Sequence, residues 1–157
     1  MDDAALLKAF EAQAIPLEEW KHRHHVRVAW IYASRHPFGE ALRRMREGIL
    51  ALNAANGIAA TPEGGYHVTL TIAWMRIVAA AAQTPARDSR DFLVQHPELA
   101  SPRHILRYYS VDHVVSEPAR LGWVEPDLEP LPSAPANPPS HPSSTDVNTP
   151  APPAPDG

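Results

Sequence analysis

The stretch YHVTLTIAWMRIVAAAAQ, residues 66–83, is the most apolar part of the chain and decides the predicted fold. The turn pair Gly64-Gly65 precedes it, and Pro85 soon follows it. The pattern predicts an α-helix over residues 66–83. Because a helix this apolar needs other helices to cover it, we expect it at the centre of the domain.

Four main helices are predicted from amphipathic spacing and from residues that start or stop a helix. Pro16 suits a first helical turn, Pro37 restricts the residue before it, and Asn56-Gly57 supplies a left-handed stop. Strands have little support, and the chain beyond Ser110 is predicted to be irregular. The predicted fold is all-α, a four-helix-type bundle plus a short C-terminal helix. The predicted bounds are 3–14, 16–35, 38–55 and 66–83 for the main helices, and 88–95 and 102–109 for the shorter ones.

The C-terminal end differs in composition from the rest of the chain. Ten of the 18 prolines lie between Pro130 and Pro155, and few apolar residues accompany them. Such a stretch buries too little apolar surface to offset the entropy of ordering it. We therefore predict a helical bundle domain at 1–131 and a disordered Pro-rich tail at 132–157. The tail would either dock in an aromatic-lined groove of a protein partner or serve as flexible filler.

Composition excludes several classes of function. The chain has no cysteine, which excludes disulfides, thiolate metal sites and a thiol nucleophile. A formal net charge of −4 with no basic stripe argues against a nucleic-acid partner. The acidic start lacks the features of a signal peptide, and no apolar run is long enough to cross a membrane. These features predict a cytoplasmic protein with no membrane partner.

Three histidines form the candidate site. His22 and His25 are three residues apart in WKHRHH, residues 20–25, and His67 opens the central helix. In an up-down-up bundle the second and fourth helices run parallel, so their N-terminal ends, and these three imidazoles, meet at one end. Three neutral imidazoles are a common ligand set for Zn²⁺ or Fe²⁺. Glu18 is predicted one turn before His22, as a fourth ligand or as support.

A metal held by three ligands would keep an open position for water or a small-molecule substrate, as in a metalloenzyme. The residues leave alternatives open. The site could be a metal-free module that binds a partner or ligand, with structural histidines. It could also use His22 or His25 for acid–base chemistry without a metal.

Four motifs together resemble a family of small, largely uncharacterised bacterial helical proteins. They are W-x-H-x-x-H from Trp20, G-Y-H-x-T from Gly65, Y-Y-S from Tyr108, and W-V-E-P-D-L-E-P-L from Trp123. The resemblance would cover residues 18–131 and groups the three histidines without implying an activity. Members of that family tend to carry an acidic residue after the third histidine, where this chain has Val68.

Overall fold

The computed structural model describes residues 1–61 and 63–139, and every regular element in them is helical. This confirms the predicted all-α fold. The described residues contain one isolated antiparallel β-bridge, between Thr61 and Gly64. Three 3-10 turns cover Leu17–Glu19, Pro97–Ala100 and Pro102–Arg107. The α-helices are α1 (Asp3–Glu11), α2 (His22–Arg35), α3 (Phe38–Ala55), α4 (Val68–Ala81), α5 (Ser89–Gln95), α6 (Val111–Val114) and α7 (Glu117–Leu121).

The apolar helix α4 is central, in contact with α2, α3 and α7. Its buried residues lie on more than one side, which is why its sequence lacks a polar face: Thr69, Ala73, Met75, Ile77, Val78 and Ala79. The helix is two residues shorter at each end than the predicted 66–83. Its start is set by His67, whose side chain accepts a hydrogen bond from Leu70 N.

Helix α2 begins six residues later than the predicted 16–35. Residues 17–19 form a separate 3-10 turn, and Lys21 is extended. Trp20 is buried between these segments and stacks on Phe10 of α1, with ring centroids 5.2 Å apart. The Nδ1 atom of His24 accepts a hydrogen bond from Lys21 N at 3.1 Å, which fixes the helix start. Burial of the indole therefore outweighs the helical preference of the sequence around it.

Helix α3 has the predicted bounds, and it approaches α1 closely at Gly48. A Cβ atom built on Gly48 would lie 2.3 Å from the ring of Phe10, which is fully buried. Glycine is therefore required here for contact between the two helices rather than for a special backbone angle.

The chain beyond Ser110 is ordered into two short helices, so the prediction of an irregular segment there is wrong. Ser110 and Ser116 accept hydrogen bonds from the first-turn amides of α6 and α7. The helix predicted at 102–109 is instead the 3-10 turn Pro102–Arg107. Helices of four and five residues carry too little periodicity to be recognised from sequence.

Residues 122–129, here called the C-terminal clasp, fold back over the bundle. Both oxygens of Asp127 accept hydrogen bonds from Ser110, and Leu128 N donates to Tyr108 O. The hydroxyl of Tyr109, which is fully buried, donates to Val124 O at 2.8 Å. These hydrogen bonds join the Y-Y-S motif to the W-V-E-P-D-L-E-P-L motif.

The first part of the predicted tail, residues 132–139, lies in the described residues and has no regular secondary structure. Ala136 O accepts a hydrogen bond from Phe38 N at the start of α3. The remaining residues of the predicted tail, 140–157, lie outside the described residues. A disordered tail with a role in binding a protein partner stays a prediction.

We expect Gly48→Ala to lower the free energy of unfolding by about 1–3 kcal/mol, because the added methyl group overpacks the Phe10 ring. Gly39, on the same helix, has no atom within 4 Å of a built Cβ. Gly39→Ala should therefore leave stability unchanged or raise it by about 0.5 kcal/mol. Urea unfolding of both variants measures the difference. Equal effects of the two changes would refute the close packing of α1 on α3.

Candidate functional site

A pocket of about 560 Å³ opens between α2, α3 and α4. It is lined by the first half of α2, by α3 from Met45 to Asn53, and by α4 from Leu70 to Val78. His22, His25 and His67 all line this pocket. We call it the histidine pocket.

His67 is buried, and both of its ring nitrogens are hydrogen-bonded. Nε2–H donates to Val114 O at 2.7 Å, and Nδ1 accepts from Leu70 N at 3.1 Å. This pairing fixes the neutral ring with its proton on Nε2. Burial lowers the pKa of His67 below its ordinary value, and nearby Arg120 lowers it further against the raising effect of Val114 O. His67 therefore joins the start of α4 to the end of α6.

His22 is partly buried at the start of α2. Its Nε2–H donates to Leu99 O at 3.0 Å, and its ring meets the Trp74 ring edge-on at 4.5 Å. Burial lowers the pKa of His22, partly offset by the bond to Leu99 O. The Nδ1 atom of His22 remains available as an acceptor.

His25 differs from the other two because its ring has no hydrogen bond to any described residue. The ring packs on Trp20, with centroids 4.2 Å apart. Burial lowers the pKa of His25 to about 4, with smaller contributions from His22 and His24. A neutral imidazole thus faces the pocket with its hydrogen-bonding capacity unused by the fold.

Glu18 does not line the pocket, and its side chain is exposed. The prediction that Glu18 lies one helical turn before His22 is wrong, because α2 begins at His22 and Glu18 belongs to the preceding 3-10 turn. The structure therefore places the three predicted histidines at one pocket and Glu18 outside it.

The three imidazoles do not fit a metal ion as their rings are placed. Both nitrogens of His67 are already bonded, and one of His22 is. Within residues 1–61 and 63–139, no three His, Asp or Glu side chains are grouped so that they could hold a metal ion. Ligation of Zn²⁺ or Fe²⁺ stays a prediction that requires the His67 ring to move.

The rest of the pocket wall is apolar, aromatic or neutral. No Lys, Arg, Asp or Glu of the described residues lines it. Trp20, Trp74 and Tyr66 form aromatic parts of the wall, in keeping with the clustering of aromatic residues near the histidines in the sequence. Asn53, in the last turn of α3, adds an amide that the sequence pattern did not single out.

Thr69 has a role that the sequence did not reveal. It is fully buried; its hydroxyl donates to Gly122 O at 2.6 Å and accepts from Val124 N at 3.1 Å. Thr71 instead donates to His67 O, one turn back in α4. In the G-Y-H-x-T motif, His67 and Thr69 thus fasten α4 to the C-terminal part of the chain.

No family model, curated protein or solved structure matches this chain. The resemblance to a family of small bacterial helical proteins stays a prediction. Among the described residues, no helix has the length and apolar character needed to cross a bilayer.

We expect stability to fall between pH 6.5 and pH 4 because of His25. The ordinary pKa of 6.5 applies to the unfolded chain, whereas the folded value is about 4. Between these values the unfolded chain binds more protons, so the free energy of unfolding decreases as pH falls, by up to about 3 kcal/mol.

His25→Phe keeps a ring against Trp20 and removes the titration, so its loss of stability over this pH range should be smaller. His36→Phe, at the other end of α2 and outside the pocket, is the comparison: burial also lowers the pKa of His36, but the shift is smaller, so this variant should change the slope less. Urea unfolding at several pH values gives the slopes. A wild-type slope in the His25→Phe protein would show that His25 is not held neutral.

Proposed function

We propose that this protein binds a small organic molecule in the histidine pocket. The observation that carries the proposal is the pocket's combination of an apolar, aromatic wall with His25, a polar ring that the fold leaves without a hydrogen bond. Pockets of 300–1,000 Å³ with mostly apolar walls and a few polar groups are typical of small-molecule sites. A volume of about 560 Å³ lies within that range.

The histidines have different parts in this proposal. His67 is structural, because both ring nitrogens serve the fold. His22 uses Nε2 for its hydrogen bond to Leu99 O, and its Nδ1 remains available as an acceptor. His25 is the ring that would contact the ligand. A polar group in a partly desolvated wall gains most from a ligand that supplies its missing partner.

Metal binding is the second candidate function, favoured by the position of His22, His25 and His67 at one pocket. It would cost the two hydrogen bonds of His67, each worth about 1 kcal/mol net and more if a buried group is left unpaired. A structural Zn²⁺ site contributes on the order of 10 kcal/mol or more of binding free energy, which would offset the loss of these hydrogen bonds. In that case the metal would supply Lewis-acid chemistry toward a small substrate.

The first proposal predicts that organic fragments bind at this pocket. A library of neutral and charged fragments, added to ¹⁵N-labelled protein, should shift the amide signals of pocket residues such as Trp20, His25 and Leu70. Leu70→Trp should reduce these shifts, because Leu70 is a partly exposed wall residue and the larger side chain fills the space.

Val94→Trp is the matched control, since Val94 is 77% exposed and outside the pocket. Fragment hits that shift residues elsewhere, or an absence of hits, would contradict the proposal.

The second candidate predicts about one Zn²⁺ or Fe²⁺ per chain, measured by elemental mass spectrometry on protein without a histidine tag. The bound metal should be lost in His67→Ala, His22→Ala and His25→Ala variants that remain folded. His36→Ala is the control that should keep the metal. Protein that takes up no metal after incubation with either ion would rule this candidate out.

A further inference from the structure

We infer that the ligand of the histidine pocket is an uncharged molecule with a flat aromatic ring and a hydroxyl or similar group that hydrogen-bonds to His25. This inference rests on the proposed function and names the class of ligand. Three features of the pocket carry it: the absence of charge in the wall, the aromatic surfaces, and the placement of the polar groups.

The wall has no charged side chain that could pair with a charged ligand. Arg120, near His67, is turned to Gly65 O, to which it donates at 3.3 Å, and it does not line the pocket. An ionised ligand here would lose its hydration without gaining a counter-ion, which is unfavourable for anions and cations alike. A neutral ligand avoids this cost.

Two backbone amides at the N-terminal ends of α2 and α4 are also already paired. Leu70 N at the start of α4 is already paired with the His67 ring, and Lys21 N before α2 is paired with the His24 ring. The lowered pKa of His25 means that the ring carries no positive charge near neutral pH. A carboxylate or phosphate would therefore find neither a cation nor these two amides free.

Three aromatic residues line the pocket: Trp20, Trp74 and Tyr66. Trp20 is buried, with Phe10 stacked on it at an interplanar angle of 17° and the His25 ring packed against it, so it supports His25 rather than offering an open face. Trp74 is held next to His22. Trp74 and Tyr66 are only partly buried, so they present the aromatic surface that is open to a ligand. Ring contact stabilises an aromatic ligand beyond the effect of its buried area.

The polar groups are few. Besides His22 and His67, four polar side chains line the pocket: His25, Asn53, Tyr66 and Thr71. Thr71 donates to His67 O, whereas His25 and Asn53 have no side-chain hydrogen-bond partner among the described residues. The neutral imidazole of His25 has one N–H donor and one acceptor nitrogen, so it pairs well with a hydroxyl, a ring N–H or a carbonyl group. The ligand therefore needs one or two polar groups on an otherwise apolar frame.

The test compares five two-ring compounds of similar shape by NMR titration of the ¹⁵N-labelled full chain at pH 7. They are 2-naphthol, naphthalene, 2-naphthoate, 2-naphthylmethylammonium and the saturated alcohol decahydro-2-naphthol. We expect 2-naphthol to bind at least about tenfold more tightly than either ion or the saturated alcohol. His25→Phe should weaken 2-naphthol about three- to tenfold and leave naphthalene unchanged, since only the hydrogen bond is lost.

His36→Phe is the control, and His25→Leu, which also lacks a hydrogen-bonding side chain, replaces His25→Phe if the latter does not fold. Equal or tighter binding of either ion, or of the saturated alcohol, would overturn the ligand class. Equal weakening of 2-naphthol and naphthalene by His25→Phe would overturn the role of His25. If none of the five compounds binds while other fragments shift pocket residues, the ligand class is wrong and the proposed function stands. If no fragment of any kind binds there, the proposed function fails as well.

Discussion

The hydrogen bond from His67 Nε2–H to Val114 O is the interaction on which the arrangement of the site depends. It joins His67, the N-cap residue of the central helix α4, to Val114 at the end of α6, 47 residues later in the chain. The other nitrogen of the same ring caps α4. Thr69 adds two further bonds, to Gly122 O and from Val124 N. Val114 in turn forms part of the pocket wall, so the same contact that starts α4 also closes one side of the cavity.

Because both ring nitrogens of His67 are hydrogen-bonded within the fold, His67 differs from the other two histidines, although all three look equivalent in the sequence. A buried imidazole with both nitrogens bonded is a structural element, whereas one with free nitrogens in a cavity wall is available to a ligand. His67 is the first kind and His25 the second. The distinction depends on partners 47 residues away, in a part of the chain for which the sequence suggested no regular structure.

The helical class and the bounds of α3 followed from local patterns, because long amphipathic segments and proline or glycine stops carry strong signals. The start of α2 did not, since the burial of Trp20 against Phe10 is a tertiary effect. The short helices α6 and α7 were missed for lack of periodicity. The meeting of the three histidines at one end could be expected from short connections and parallel helices, but their hydrogen-bond partners could not.

The pocket's chemistry is also a product of packing. Aromatic residues form part of its wall, and the charged side chains of the same helices lie outside it. Because the site holds neutral imidazoles at neutral pH, hydrogen bonding and ring contact dominate its interactions with a ligand. An organic ligand, aromatic or not, leaves both hydrogen bonds of His67 intact, whereas a metal ion requires the His67 ring to give them up.

The most direct measurement is the protonation and environment of the His67 ring, from two-bond ¹H–¹⁵N NMR correlations of the imidazole nitrogens with and without excess Zn²⁺. We expect a neutral ring with its proton on Nε2, and nitrogen shifts that do not change when Zn²⁺ is added. A proton on Nδ1, or a nitrogen shift typical of metal ligation after addition of Zn²⁺, would contradict this expectation and make His67 a ligand rather than a structural residue.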